Sequence, residues 1–184
     1  MNITDAQREV RSRFVGGYYG QLVSGILWLI SAILAECYGS RAAIGTVVIG
    51  GFFIFPITEL LVRLSGGGKE ISPENSFRYL GMQVAFVLPL SMPVLVPVTL
   101  YRVELFFPAL MILLGAHYIP FVFLYGMRMF AVLAGLLVGG GIVMALRGVG
   151  GFSLGAWYTG ILLVVFAFVG RASVGNSNRE AKIE

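Results

Sequence analysis

His117 is the only histidine in the chain, and it stands in GAHYIPFVFLYGMR, residues 115–128, three positions before Pro120. From Leu105 to Leu146 the surroundings are apolar, and Arg128 is the only permanent charge. An imidazole can hydrogen-bond through either ring nitrogen, ligate a metal or relay a proton. A metal would need further ligands, and the chain has no CxxC, no HxxxH and no glutamate-rich pair. An ordinary zinc or iron site is therefore not expected, and haem would require an unusual second ligand. No serine or cysteine sits in a nucleophile motif. What remains for His117 is a structural hydrogen bond, ligand binding or proton handling.

The setting of these residues follows from composition. Of 184 residues, 58% are hydrophobic and 12% charged, against about 45–50% and about 25% in soluble domains. A water-soluble fold of this size could not hide so much apolar surface, since folding buries only roughly 70% of what the chain exposes. Six apolar runs reach the roughly 20 residues that a helix needs to cross a hydrocarbon core. They cover Val15–Ala35, Ala42–Leu64, Phe77–Thr99, Leu105–Leu124, Met129–Leu146 and Phe152–Gly170. Alternation is absent and the runs are too long for barrel strands. The expected fold is an all-α bundle of six transmembrane helices over residues 15–170. An amphipathic segment precedes it at 1–14 and a polar tail follows at 171–184. The first run exceeds the 7–15 apolar residues of a signal peptide and no A-x-A site follows, so it is read as a retained helix. Cys37, alone, excludes an intrachain disulfide.

Basic residues orient the bundle. With six helices, ten of the thirteen lie on the side of the chain ends, and only Arg41, Arg102 and Arg147 on the other. Cytoplasmic loops are enriched in Lys and Arg, which predicts that both termini are cytoplasmic. The net charge of +4 thus reflects topology, and no basic domain points to nucleic acid.

Depth then sorts the polar side chains. At about 1.5 Å per residue, Gln21 and Gln83 lie roughly 9 Å from the cytoplasmic end, and Glu59 is near that end too. Tyr125 and Arg128 belong to the same inner third, while His117 and Tyr118 lie just past the midplane. These seven are the candidate ligand-binding residues, forming a polar pocket open to the cytoplasm with His117 as its floor. Each also has a plain structural reading: tyrosines anchor at headgroups, Arg128 snorkels, and Glu59 pairs with Arg63 at i, i+4. Catalysis within the membrane by His117 and Glu59 stays open, although their depths differ by roughly 8 Å.

Pro89, Pro93 and Pro97 recur every fourth residue on the third run. Each deprives the carbonyl four positions earlier of its amide, so a break is expected between Leu88 and Val98. The orphaned carbonyls should turn that face toward protein or water. Pro120 does the same to Ala116 beside the histidine. Small residues at four-residue spacing, Gly16–Gly20–Ser24, Ala131–Gly135–Gly139, Gly151–Gly155 and Ala156–Gly160, mark expected helix contacts. Thr4 with Gln7 reads as a capping box, Glu9 with Arg13 as a helical ion pair, and Val10 with Phe14 as a face for the membrane interface. Ser72 with Pro73 reads as the start of the third helix.

The block GAHYIPFVFLYGMR with FAVLAGLLVGGG after it, behind a short basic tail, resembles a family of small bacterial multi-helix membrane proteins of unassigned function. The resemblance implies a multi-pass protein of the bacterial cell (inner) membrane and supplies no active residues. Three functions stay open: binding or transport of a small molecule or lipid, a structural or regulatory subunit of a larger membrane complex, and an intramembrane enzyme. No cofactor is expected. The expected partners are membrane lipids, a small-molecule ligand, and a second copy or a partner subunit.

Overall fold

A computed structural model describes residues 1–66, 70–148 and 150–180, the side chains of 176–180 excepted. Lys69, Lys182 and the side chain of Arg179, used above for orientation, lie outside the described residues. Among the described residues there are eight α-helices and no strand. Six stretches are long and apolar enough to cross a membrane: Val15–Tyr38, Ser40–Leu64, Phe77–Tyr101, Val103–Tyr125, Met129–Arg147 and Leu154–Gly175. They match the six apolar runs to within a few residues, because length and hydropathy are the properties that both a sequence and a helix express.

The chain opens with a surface helix, α1 (Ile3–Arg13). Its cap is Asn2, whose side chain accepts from the Asp5 amide at 2.8 Å. The capping box expected at Thr4 does not form, since the helix starts early enough to place Thr4 in the first turn. Val10 is buried in the protein core and not turned to the membrane interface. Three successive positive φ angles, 51° at Val15, 66° at Gly16 and 84° at Gly17, turn the chain into α2 (Tyr18–Tyr38). A Cβ on Gly16 would lie 2.7 Å from the Gly170 carbonyl, so the start of α2 meets the far part of α8 (Leu154–Glu180). Both ends of the span series therefore share one face, here termed the terminal face.

After α3 (Ser40–Leu64), the third span is built from α4 (Phe77–Ser91), a 3₁₀ turn at Met92–Val94 and α5 (Leu95–Tyr101). The turn falls inside the expected interval. All three prolines, however, lie exposed on the bundle surface and do not face protein. The tighter turn explains why they can. The Met92 amide donates to the Leu88 and Pro89 carbonyls, and the Leu95 amide to those of Met92 and Pro93. The Pro89 and Pro93 carbonyls, re-paired in this way, no longer need a polar neighbour. The helix also starts later than Ser72–Pro73 suggested, because Asn75 turns back to α1 and its side chain caps Phe77 at 3.0 Å.

The remaining helices are α6 (Phe106–Tyr125) and α7 (Met129–Arg147). α2 packs between α3 and α8, α7 joins α8 to α6, and α6 carries α4 and α5. The third span and α3 end this row and are the least buried spans, at 11% and 17%. Phe107, Met111, Phe130, Leu133 and Leu137 form the centre of the core, each fully buried. Close approach uses glycine: a Cβ on Gly25 would lie 3.1 Å from the Gly160 carbonyl, and one on Gly115 2.9 Å from that of Ala134. The Ala131–Gly135–Gly139 ridge instead faces outward, since α7 turns Leu133, Leu137 and Gly141 inward.

Candidate functional site

α1 lies across the terminal face and is held at three places. Arg13 donates to Glu59 of α3 at 3.0 Å, with side-chain exposures of 12% and 21%. Gln7 donates to the Phe123 carbonyl at the end of α6 at 2.6 Å. Asn75, fully buried ahead of α4, donates to the Ala6 carbonyl at 3.1 Å and to Glu9 at 2.9 Å. The Glu9 carboxyl is held below its ordinary value, first by the Asn75 hydrogen bond, against the opposing effect of burial, and further by Ser72. Neither helical ion pair expected from spacing forms: Glu9 turns to Asn75, and Glu59 takes Arg13 in place of Arg63, which is exposed. In each case the partner from another element reaches the carboxylate that its own helix offered to a neighbour four residues away.

Beneath α1 the interior is polar and aromatic. Tyr125, the last residue of α6, is buried. Its ring stacks on Phe121 at 5.7 Å and meets Phe130 at 5.1 Å. Tyr118 stacks on Phe130 at 6.0 Å, and His117 touches the rings of Tyr118 and Phe121. The imidazole faces the Val84 carbonyl of α4, and its Nδ1 has no partner. Gln21 is 2% exposed and both its amide atoms are unpaired; Thr58, against Gly20, is likewise unpaired. Gln21 shares a stripe of α2 with Gly17, which abuts Phe130, and with Trp28, which meets Phe107. That stripe aims the amide at α6 and α7, where the tyrosines stand.

Of the seven candidate residues, Gln21, Tyr118 and Tyr125 are buried in the bundle and Glu59 and His117 half-buried. Gln83 and Arg128 are not: both are exposed, Gln83 beside the inward Val84 and Arg128 at the α6–α7 turn. Three participants escaped the sequence reading. Thr58 is a hydroxyl in an apolar run directly beside Glu59, which was signal enough. Arg13 sits at the mouth of the first span but was assigned to the wrong carboxylate. Asn75 had no mark beyond lying in a polar loop.

Hydrogen-bonding groups that are buried and unpaired normally hold water, an ion or a ligand. A groove of about 520 Å³ between α2 and α3 is a different feature, walled by hydrocarbon from Val23, Leu27, Phe53 and Ile57.

Six helices long and apolar enough to cross a membrane define a multi-pass membrane protein. The chain belongs to the family of unknown function DUF7010, whose model matches residues 3–172, from the first residue of α1 well into α8. Comparison with curated proteins and with solved structures finds no match.

Proposed function

We propose that the protein binds a small molecule inside the half of the bundle nearer the terminal face and carries it across a bacterial cell membrane, with both termini cytoplasmic. One observation carries the reading: Gln21, Thr58 and His117 bury polar atoms that bond nothing, and the Arg13–Glu59 pair pins α1 to α3 one residue from Thr58. Leaving such atoms unpaired costs about 1–3 kcal/mol each, a cost that a bound molecule would offset. The jointed third span, whose Val84 carbonyl faces His117, supports movement around the site. The excess of Lys and Arg on the terminal face supports the orientation.

Native mass spectrometry of protein released from lipid nanodiscs tests the binding. A small-molecule adduct should accompany the parent and disappear in the Tyr118→Phe/Tyr125→Phe double variant. An adduct-free parent, or an adduct indifferent to both tyrosines, would overturn the reading. Reporter fusions after Ser65 should report cytoplasm, and an external result there would overturn the orientation.

The low burial of the third span favours a second reading, in which that span docks a partner subunit of a membrane complex. Photo-crosslinking from exposed Val94 would then capture a protein and not lipid alone.

A further inference from the structure

The groove of about 520 Å³ between α2 and α3 is lined by apolar residues alone. On α2 its wall is Val23, Ile26, Leu27 and Ile30, which share one side of the helix. On α3 it runs from Gly50 to Leu61, roughly 17 Å at about 1.5 Å per residue. Gly50 stands ten residues after Ser40, the first residue of α3, and so near the middle of a hydrocarbon core about 30 Å thick. The groove therefore covers one leaflet, from near the terminal face to the midplane. Its deep end is closed. Leu27 lies over Gly50, where a Cβ would collide with it. Farther from the terminal face Ala43 and Val47 are buried, and Ser31 of α2 donates to the Ala43 carbonyl at 2.8 Å. Its side is open, with Ile26, Ile30, Phe53 and Ile57 exposed.

These limits select the occupant. We propose that the groove seats one acyl chain of a phospholipid from the leaflet at the terminal face, with the headgroup left at the surface beside Tyr19. Tyr19 is half-buried one turn before Val23 on the same side of α2, at the level where tyrosine meets headgroups. A phospholipid chain runs along the helices and ends near the midplane, as the groove does. A helix of a second copy would cross the whole core and need a matching recess beyond Gly50, where α3 is closed onto the bundle. A polar ligand would find nothing to bond. Hydrophobic transfer does not favour the site over bulk lipid, since tails are as apolar as leucine. Packing does. Walls that face an unfilled recess forfeit dispersion contacts, and a chain between two helices makes more of them than one lying on the outer side of α3. The site is independent of the buried polar atoms of Gln21, Thr58 and His117.

A phosphatidylcholine with a diazirine near the end of one acyl chain is the probe, in phosphatidylcholine nanodiscs. After photolysis, peptide mass spectrometry should find Ile30 and Phe53 labelled severalfold more than Phe52 and Phe55, which are at least as exposed. Equal labelling would reduce the occupant to ordinary surrounding lipid and overturn the proposal. Ile57→Trp fills the groove and should bring the Phe53 label down to that of Phe52, leaving the Phe52 label unchanged. Ile26→Phe, a milder filling from the α2 wall, should lower the Phe53 label in part, which keeps the test decisive where Ile57→Trp fails to fold. A Phe53 label indifferent to the filling would overturn the proposal. Oleate added to the parent should leave the label in place, and its loss would assign the groove to a free fatty acid and overturn the phospholipid. Cys37 is the only cysteine, so in proteoliposomes Ile57→Cys with Cys37→Ser should stay unlinked on oxidation. A disulfide-linked dimer would make the occupant a second copy and overturn the proposal.

Discussion

In the half of the bundle away from the chain ends, Ser31 is fully buried and its hydroxyl donates to the Ala43 carbonyl at 2.8 Å. Around it Trp28, Phe107 and Phe152 pack ring against ring. In the half beneath α1, Gln21 and Thr58 are nearly as deep and bond nothing. Thr159 of α8 is the exception in the first half, a buried hydroxyl with no partner. The contrast teaches where stability has been given up. The half in which Ser31 is paired has the fewer buried orphans, and under the proposed binding a ligand would restore the loss in the other.

The most damaging way to break the comparison is at the ion pair that ties α1 to α3. Glu59→Ala leaves Arg13 partly buried without its partner and should cost about 3 kcal/mol, while Arg13→Met with Glu59→Leu should recover most of that. Thermal melting of both proteins in the same detergent decides it. A Glu59→Ala variant as stable as the parent would show that the pair does not hold α1.

The next test sets the halves against each other directly. Ser31→Ala strands the Ala43 carbonyl of its second bond and should cost about 1–2 kcal/mol; Thr58→Val removes an orphan and should be neutral or stabilising by about 1 kcal/mol. Equal losses at the two positions would mean that Thr58 has a partner, and the contrast would collapse.

Acid offers a smaller lever on α1. The Glu9 carboxyl is held below its ordinary value of 4.5, chiefly by Asn75. A lowered folded-state value means that its contribution is complete above 4.5 and is lost as the pH falls through the lowered value. A fluorophore at exposed position 12 should therefore report α1 loosening on acidification below 4.5. Glu9→Gln should remove that step, and a step that persists in the variant would assign it to another group.

How much of this was legible in the sequence depends on the range of the forces involved. The six spans were, because about 20 apolar residues in a row admit few folds. A 3₁₀ turn at Met92–Val94 lies within the interval the prolines marked; the direction of that face was not legible, since the turn re-pairs the Pro89 and Pro93 carbonyls locally. Depth singled out Gln21, His117, Tyr118 and Tyr125, and all four are buried or half-buried in the bundle. Pairings were not legible: Glu59 had Arg63 four residues away on its own helix and took Arg13, forty-six residues earlier, instead. Helix spacing carries no information about which element lies across the terminal face, and Asn75 shows the same gap.

The smallest expected effect lies at the joint between α1 and the bundle. Val15 has φ 51°, a left-handed conformation in which a β-branched side chain is strained by about 1–2 kcal/mol. Glycine adopts that conformation freely but loses about 0.5–1 kcal/mol more chain entropy on folding. Val15→Gly should therefore stabilise the protein by about 1 kcal/mol or less, a rise of roughly 1–3 °C in melting midpoint for a chain of this size. Its neighbour should behave in the opposite way. Gly16→Ala would keep the left-handed strain and press a methyl to within 2.7 Å of the Gly170 carbonyl, so it should lower the midpoint. Two adjacent substitutions of opposite sign would locate the strain at Val15 and the tight packing at Gly16. A loss of stability in Val15→Gly would instead mean that the valine side chain contributes more by packing than its backbone costs.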